Sequence, residues 1–324
     1  MRRRTLLKGG AALAALAAIG GGVAVQRRRR HSDTITELWP ALGPNVHWLK
    51  PDLQDAHMVV PDRPHSKEES RQVIRRQRSF RVRSNAQRLR GGSLEAKTGP
   101  RLLAIGDSVT FGWGVADTES YPAQLQALLG ERHEGVQVLN AGVPAQSLFG
   151  MASFLRKKAP ELQLDGVLWT RRVQLNLDNG IEQYRDQLEA ARSALPDARF
   201  LVLLPPVSRF DPYGVENYAG EAQSLRARLE VGVLELTDVF WAAQTGGATM
   251  KVSKNELIML NEDVELARVR RARRDLPREI YEIFDADPGI REHLFFDSGH
   301  PDAEGFGVFA QAVADELEER GWMA

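Results

Sequence analysis

From Pro100 to the C-terminus, short apolar runs alternate with amphipathic stretches of helical period. The runs Arg101–Gly106 (RLLAIG), Val136–Gly142 (VQVLNAG), Gly166–Thr170 (GVLWT) and Ala198–Leu204 (ARFLVLL) predict buried strands. Pro205-Pro206 stops the last of them, and a fifth strand is expected within Val231–Val239. Helices are predicted over Pro122–Glu131, Ser147–Lys158, Gly180–Ala194, Glu216–Leu229 and Pro301–Arg320. Ser120 suits an N-cap, with Pro122 in the first turn. Such alternation implies an α/β architecture, a doubly wound parallel sheet with helices on both faces. Ligands of such sheets bind beyond the carboxyl ends of the strands.

Two regions break this rhythm. Residues 241–291 are charged and mostly helical (Asn255–Arg274, then Pro277–Phe284), with Arg268, Arg270, Arg271, Arg273 and Arg274 clustered. They read as a helical insertion, either a lid over the site or a surface feature. Residues 31–99 are rich in Pro and Arg and read as an arm before a main domain over 100–324. Within it, five prolines between 31 and 65 suggest a linker or extended segment. Ser66–Arg78 suits a short helix, and Arg81–Asn85 a strand leading to a turn at Arg90-Gly91-Gly92.

The first thirty residues read as an address. Arg3-Arg4-Thr5-Leu6-Leu7-Lys8 matches a twin-arginine export signal, and a 17-residue run of Gly, Ala, Leu, Ile and Val follows from Gly9 to Val25. The run is short and Gly/Ala-rich for a bilayer span. Gly22-Val23-Ala24 offers a small-residue cleavage site. Arg27–Arg30 directly after it favour the alternative, an uncleaved N-terminal segment that keeps the protein at the membrane. The expected location is outside the cytoplasm, periplasmic or extracellular.

Composition narrows the chemistry. The 324 residues include no cysteine, which excludes disulfides, thiol nucleophiles and thiolate zinc sites. Apolar residues make up 43% and charged residues 27%, enough for a packed core. A net charge of zero hides an uneven spread. Residues 1–30 hold eight basic and no acidic residues, and residues 63–101 hold 12 basic against 3 acidic. Residues 102–324 hold 22 basic against 35 acidic, which argues against nucleic acid as a partner of the main domain. The basic stretch reads as an arm packed on that acidic domain, with anionic lipid or nucleic acid as the competing reading.

Gly106-Asp107-Ser108 follows the first predicted strand directly and continues to Phe111-Gly112-Trp113-Gly114. A serine there can be presented on a tight turn at the sheet's carboxyl edge, with backbone N–H groups available to an oxyanion. Serine needs a base. Of seven histidines, His31, His47, His57 and His65 lie in the arm and His133 at a helix end, leaving His293 and His300. His300 stands just before the last helix, three residues after Asp297, close enough for the carboxylate to orient the imidazole. Asp107 reads as a turn-former. Trp113 and Trp169 read as core packing or as pocket walls. No ligand set for a metal gathers near His300, so neither metal nor cofactor is expected.

Over roughly residues 100–320 the sequence resembles the SGNH, or GDSL-type, serine hydrolase family. Gly106-Asp107-Ser108 with Phe111-Gly112 is similar to its nucleophile block, Asn140-Ala141-Gly142-Val143 to its second block, and Asp297-x-x-His300-Pro301 to its acid/base block. The resemblance implies a three-layer, flavodoxin-like fold of about five strands. It implies Ser108 as nucleophile, His300 as general base, Asp297 as its orienter, and the N–H groups of Ser108 and Gly142 as oxyanion donors. Phe80–Gly91 with the nucleophile block and Gly114-Val115 also resembles a subgroup of exported bacterial members. The family's third block is a Gly-x-Asn-Asp whose Asn donates to the oxyanion. Here Thr170-Arg171-Arg172-Val173 stands in its place, with Arg172 at the Asn position. Arg172, Arg171 or Asn176 would have to substitute, or the arginines are a surface pair. The implied activity is cleavage of a small ester or an acylated glycan through an acyl-enzyme. The alternatives are O-acyl transfer to an exported polysaccharide and a non-catalytic binding module.

Overall fold

The computed structural model describes residues 38–43, 46–61, 77–171, 180–206, 222–244, 294–296 and 299–323. Its centre is a five-stranded sheet of β5 (Arg101–Gly106), β6 (Gln137–Asn140), β7 (Gly166–Thr170), β8 (Arg199–Leu204) and β9 (Gly232–Glu235). The spatial order is β6-β5-β7-β8-β9, and every pairing is parallel. The strand order therefore reverses between β5 and β7, and the carboxyl ends of those two strands form the crevice in which such sheets bind ligands.

Near-continuous apolar strands are what a sheet covered on both faces requires. Alternate residues enter two separate cores. Leu103, Ile105, Val167, Trp169, Val202 and Leu204 pack under α3 (Leu148–Lys157), α4 (Gly180–Ala194) and the helical residues 222–228. Leu102, Ala104, Leu168, Leu201 and Leu203 pack under α2 (Tyr121–Gly130), α5 (Thr237–Gln244) and α6 (Ala303–Glu319). The predicted α/β three-layer sheet of five strands is thus the fold observed.

Two local expectations change. Val231–Val239 holds a strand only to Glu235. Glu235 Oε1 then accepts from Thr237 N–H at 2.9 Å, and α5 begins, burying Leu236 and Phe240 one helical turn apart. Ser120 precedes α2, but its hydroxyl donates back to Asp117 O (3.1 Å) instead of capping the helix.

The arm is folded onto the main domain. β1 (Ala41–Gly43) pairs with β2 (Val46–His47), and β3 (Ala56–Pro61) pairs with β4 (Gln77–Val82), both antiparallel. Leu38, Trp39, Leu49, Met58, Phe80 and Val82 form a third apolar cluster with Phe111, Val143 and Phe296 of the main domain. Basic residues of the arm meet acids of the domain: Arg83 and Arg90 contact Asp117, and Lys97 contacts Asp165. No helix among the described residues is long and apolar enough to cross a membrane. The signal-like residues 1–30 and most of the 241–291 insertion lie outside those residues, as do the stretches 255–274 and 277–284 in which helices are expected.

Asp165 ties β5 to its neighbours at the edge opposite the crevice. Burial would raise its carboxyl, but hydrogen bonds from the Lys97 ammonium (2.8 Å) and the Arg101 N–H (2.7 Å) outweigh that and hold it below the ordinary aspartate value. The ionised group thus stabilises the fold at neutral pH, and the contribution fades as pH falls through the lowered value. Asp165→Asn is expected to melt below wild type at pH 7, with the gap closing as pH falls below the ordinary aspartate range. Thermal melts across pH check this.

Candidate active site

β5 is buried along its whole length and delivers Gly106 to the crevice. Asp107 then caps α1 (Ser108–Phe111), a single helical turn, by accepting from Val109 N–H at 3.1 Å. The Asp107 side chain is the expected turn-former and does more. Its other oxygen accepts from Arg171 Nη1 at 3.0 Å, and the same nitrogen donates to Gln146 O at 2.9 Å. Arg171 leaves the end of β7, so it joins the nucleophile turn to the neighbouring strand and to the loop after β6. Gly112 ends the turn with φ +83°, where a Cβ would lie 2.5 Å from Ser120 Cβ, so glycine is required.

His300 comes from the other end of the chain. The loop before α6 is tight: Phe296 N–H donates to His300 O (3.1 Å), Asp302 N–H donates to Leu294 O (3.0 Å), and Asp302 caps α6 through Gly305 N–H (2.9 Å). This places Nε2 of His300 2.8 Å from Ser108 Oγ. Both residues are half-buried, so the pair stays open to a substrate. The Phe296 ring stacks on the imidazole (centroids 5.8 Å apart), and half-buried Trp113 stands 6.4 Å from it. Trp113 is thus a wall of the site, while Trp169 is fully buried in the core. Asp297 and Arg172 lie outside the described residues, as do Asn176 and His293.

The two expected oxyanion donors differ. Ser108 N–H, at the first position of α1, meets no acceptor among the described residues. Gly142 N–H is held by the Asn140 side chain, whose Oδ1 accepts from it at 2.9 Å. Gly142 itself presses against α1: a Cβ there would lie 2.1 Å from Phe111 N and 2.5 Å from Thr110 C.

Below the site runs a buried polar link. Tyr121 Oη lies 2.6 Å from Thr170 Oγ1, and both residues are fully buried. Burial pushes the Tyr121 phenol well above its usual value, against the opposing hydrogen bond to Thr170, so it stays neutral and positions rather than reacts.

Sequence reasoning missed Arg90, which was read as part of a turn. Its side chain is buried and donates to the carbonyls of Phe111, Gly112 (2.8 Å) and Val115 (2.8 Å) and to Asp117 Oδ1 (2.8 Å). Nothing in the pattern separates it from the other basic residues between 63 and 101. Arg171, one of the candidates to replace the third-block Asn, is engaged with the Asp107 carboxylate and with Gln146 O. Arg171→Ala is expected to lower kcat on 4-nitrophenyl acetate less than about tenfold, against the 10²–10³ that loss of an oxyanion donor costs. Steady-state kinetics measure the difference.

No family model matches the chain, and no curated protein matches it. Among solved structures it is similar to a two-domain esterase active on acetylated mannans, at 11% identity and a TM-score of 0.46, over 68% of this chain and 49% of that one. It is similar to a catalytic mutant of Axe2, an acetylxylan esterase from Geobacillus stearothermophilus, at 15% identity and a TM-score of 0.41, over 71% of this chain and 99% of that one. It is also similar to the lipase/acylhydrolase from Enterococcus faecalis, at 18% identity and a TM-score of 0.38, over 68% of this chain and 96% of that one. With similarity this remote, the chemistry rests on the geometry of this chain's own residues.

Proposed function

We propose that the protein is a serine ester hydrolase, with Ser108 as nucleophile and His300 as general base. The observation that carries this reading is the 2.8 Å approach of His300 Nε2 to Ser108 Oγ across the carboxyl edge of the sheet. A hydroxyl at the start of a one-turn helix, with a base in hydrogen-bond reach and an adjacent N–H that meets no acceptor among the described residues, is the minimum set for acyl transfer. Ser108 Oγ attacks the ester carbonyl as its proton passes to Nε2. The tetrahedral oxyanion forms beside Ser108 N–H, and Gly142 N–H joins it by exchanging its bond to Asn140. The imidazolium then protonates the leaving alcohol, and water, activated by the same nitrogen, releases the acid.

In this reading Asp297 holds the imidazolium from the same loop, and Arg172, next to Arg171 at the end of β7, supplies the third oxyanion donor. The alcohol leaves past His300, so half-buried Trp113 flanks the alcohol half of the substrate, a small alcohol or a sugar, while buried Phe296 backs the imidazole. The twin-arginine-like pattern of residues 1–30 supports a location outside the cytoplasm, where acylated glycans are accessible. A fluorophosphonate probe tests the central claim: the expected result is covalent labelling that maps to Ser108. A folded protein that neither labels nor hydrolyses 4-nitrophenyl acetate overturns it.

A further inference from the structure

A single helical turn cannot hold itself in place. The backbone bonds that close α1 run from Phe111 N–H to Asp107 O, from Gly112 N–H to Ser108 O and Val109 O, and from Trp113 N–H to Ser108 O. The carbonyls at and beyond its C-terminal end have no helical partners, as at any helix end. The position of Ser108 therefore depends on what receives those carbonyls.

Arg90 receives them. Its Nη1 donates to Phe111 O and to Gly112 O (2.8 Å), and its Nη2 donates to Val115 O (2.8 Å). Its Nε donates to Asp117 Oδ1 (2.8 Å), so all three guanidinium nitrogens are engaged. The plane lies 4.4 Å from the Phe111 ring centroid and 5.8 Å from that of Phe80. The side chain is 1% exposed. Burial pulls its pKa down and the Asp117 charge pulls it back up, so the buried cation keeps a counter-ion.

The main chain of the same residue reaches a second element. Arg90 N–H donates to Asn140 O at 2.8 Å, forming an antiparallel bridge to the end of β6. Asn140 in turn holds Gly142 N–H through its side chain (2.9 Å). One residue thus binds the nucleophile turn through its guanidinium and the Asn140–Gly142 segment through its backbone.

We propose that Arg90 is a positioning residue of the reaction: by bracing the C-terminal end of α1 against the end of β6, it sets the spacing between Ser108 and the Gly142 N–H. This rests on the serine hydrolase reading above. It also gives the arm a part in catalysis, because Arg90 lies outside the βα units of the main domain. Lysine cannot replace it, since one ammonium cannot span three carbonyls and a carboxylate arranged around a plane.

The test uses the full chain and 4-nitrophenyl acetate, with wild type measured first. Wild type that neither turns over the ester nor labels with fluorophosphonate sinks the serine hydrolase reading itself. With active wild type, Arg90→Ala and Arg90→Lys are expected to lose about 10²-fold in kcat while KM stays within about threefold, because a misplaced nucleophile slows chemistry more than binding. Guanidinium ion at tens of millimolar is expected to restore Arg90→Ala by about tenfold or more by refilling the vacated site, and to leave Arg90→Lys low. A folded Arg90→Ala with kcat within about threefold of wild type overturns the proposal, as does a loss that guanidinium does not relieve. Should Arg90→Ala fail to fold, Asp117→Asn decides when read against Arg83→Ala, since it keeps Arg90 but loosens both its Nε anchor and the exposed Arg83 contact, and Arg83→Ala removes the latter alone and is expected to leave kcat unchanged. A kcat about fivefold lower at unchanged KM and melting temperature supports the role, and an unchanged kcat overturns it.

Discussion

Ser108→Ala and His300→Ala are each expected to lower kcat on 4-nitrophenyl acetate by about 10⁴–10⁶-fold, and the double variant by no more than either alone. The two side chains act as one unit, since the hydroxyl is inert without the imidazole and the imidazole has nothing to activate without the hydroxyl. Their separation of 2.8 Å makes this a statement about a pair rather than two independent residues. Neither change should destabilise the fold strongly, because both residues are half-buried at the crevice and outside the three apolar clusters. Melting temperatures near wild type together with lost turnover and lost fluorophosphonate labelling at Ser108→Ala are the expected pattern. Turnover retained by either single variant would remove the pair from the mechanism.

Gly142→Ala is expected to cost both activity and stability. The added methyl would lie 2.1 Å from Phe111 N, 2.5 Å from Thr110 C and 2.6 Å from Phe111 Cα. All three are backbone atoms of the nucleophile turn, so no side chain can swing aside and α1 must move away from the loop after β6. Overpacking of this kind costs about 1–3 kcal/mol. Displacing an oxyanion donor relative to Ser108 lowers kcat by about 10²–10³-fold. Gly92→Ala is the control, since nothing lies within 4 Å of a Cβ there, and it should match wild type in both kinetics and melting temperature. A Gly142→Ala variant with wild-type kcat would show that the loop after β6 plays no part in stabilising charge.

Much of the fold was legible before any coordinate. β5, β7 and α4 occupy Arg101–Gly106, Gly166–Thr170 and Gly180–Ala194, the residues expected of them, because buried strands and amphipathic helices write their periods into the sequence. The strand expected within Val231–Val239 ends at Glu235, and the helix after it was missed because a short run that mixes apolar residues with Glu235, Thr237 and Asp238 does not say where a strand yields to a helix. The arm escaped the pattern for a related reason. Leu38-Trp39, Trp48-Leu49, Met58 and Phe80 stand in short apolar pieces without a helical or strand period in a polar, proline-rich stretch, and they read as core only once Phe111, Val143 and Phe296 are seen against them.

The site divides in the same way. Ser108 at the mouth of a strand and His300 ahead of the last helix are local facts, and the order of strands and helices already sent both to one edge of the sheet. Arg90 and Arg171 are different. One was indistinguishable from the basic residues around it, and the other was weighed as a donor to the oxyanion. Their acceptors are carbonyls and the carboxylates of Asp117 and Asp107, supplied by distant segments.

The chain alone determined the layered sheet, the order of its elements and the edge at which a nucleophile would stand, since these follow from residue periodicity and from the handedness of parallel connections. Only the tertiary structure decided that an imidazole from the C-terminal loop meets that hydroxyl, that an arm before the domain braces it, and that Gly142 N–H rests on Asn140. Hydrogen bonds between segments far apart in sequence leave no period in either segment, so their partners appear only when the backbone has brought them together.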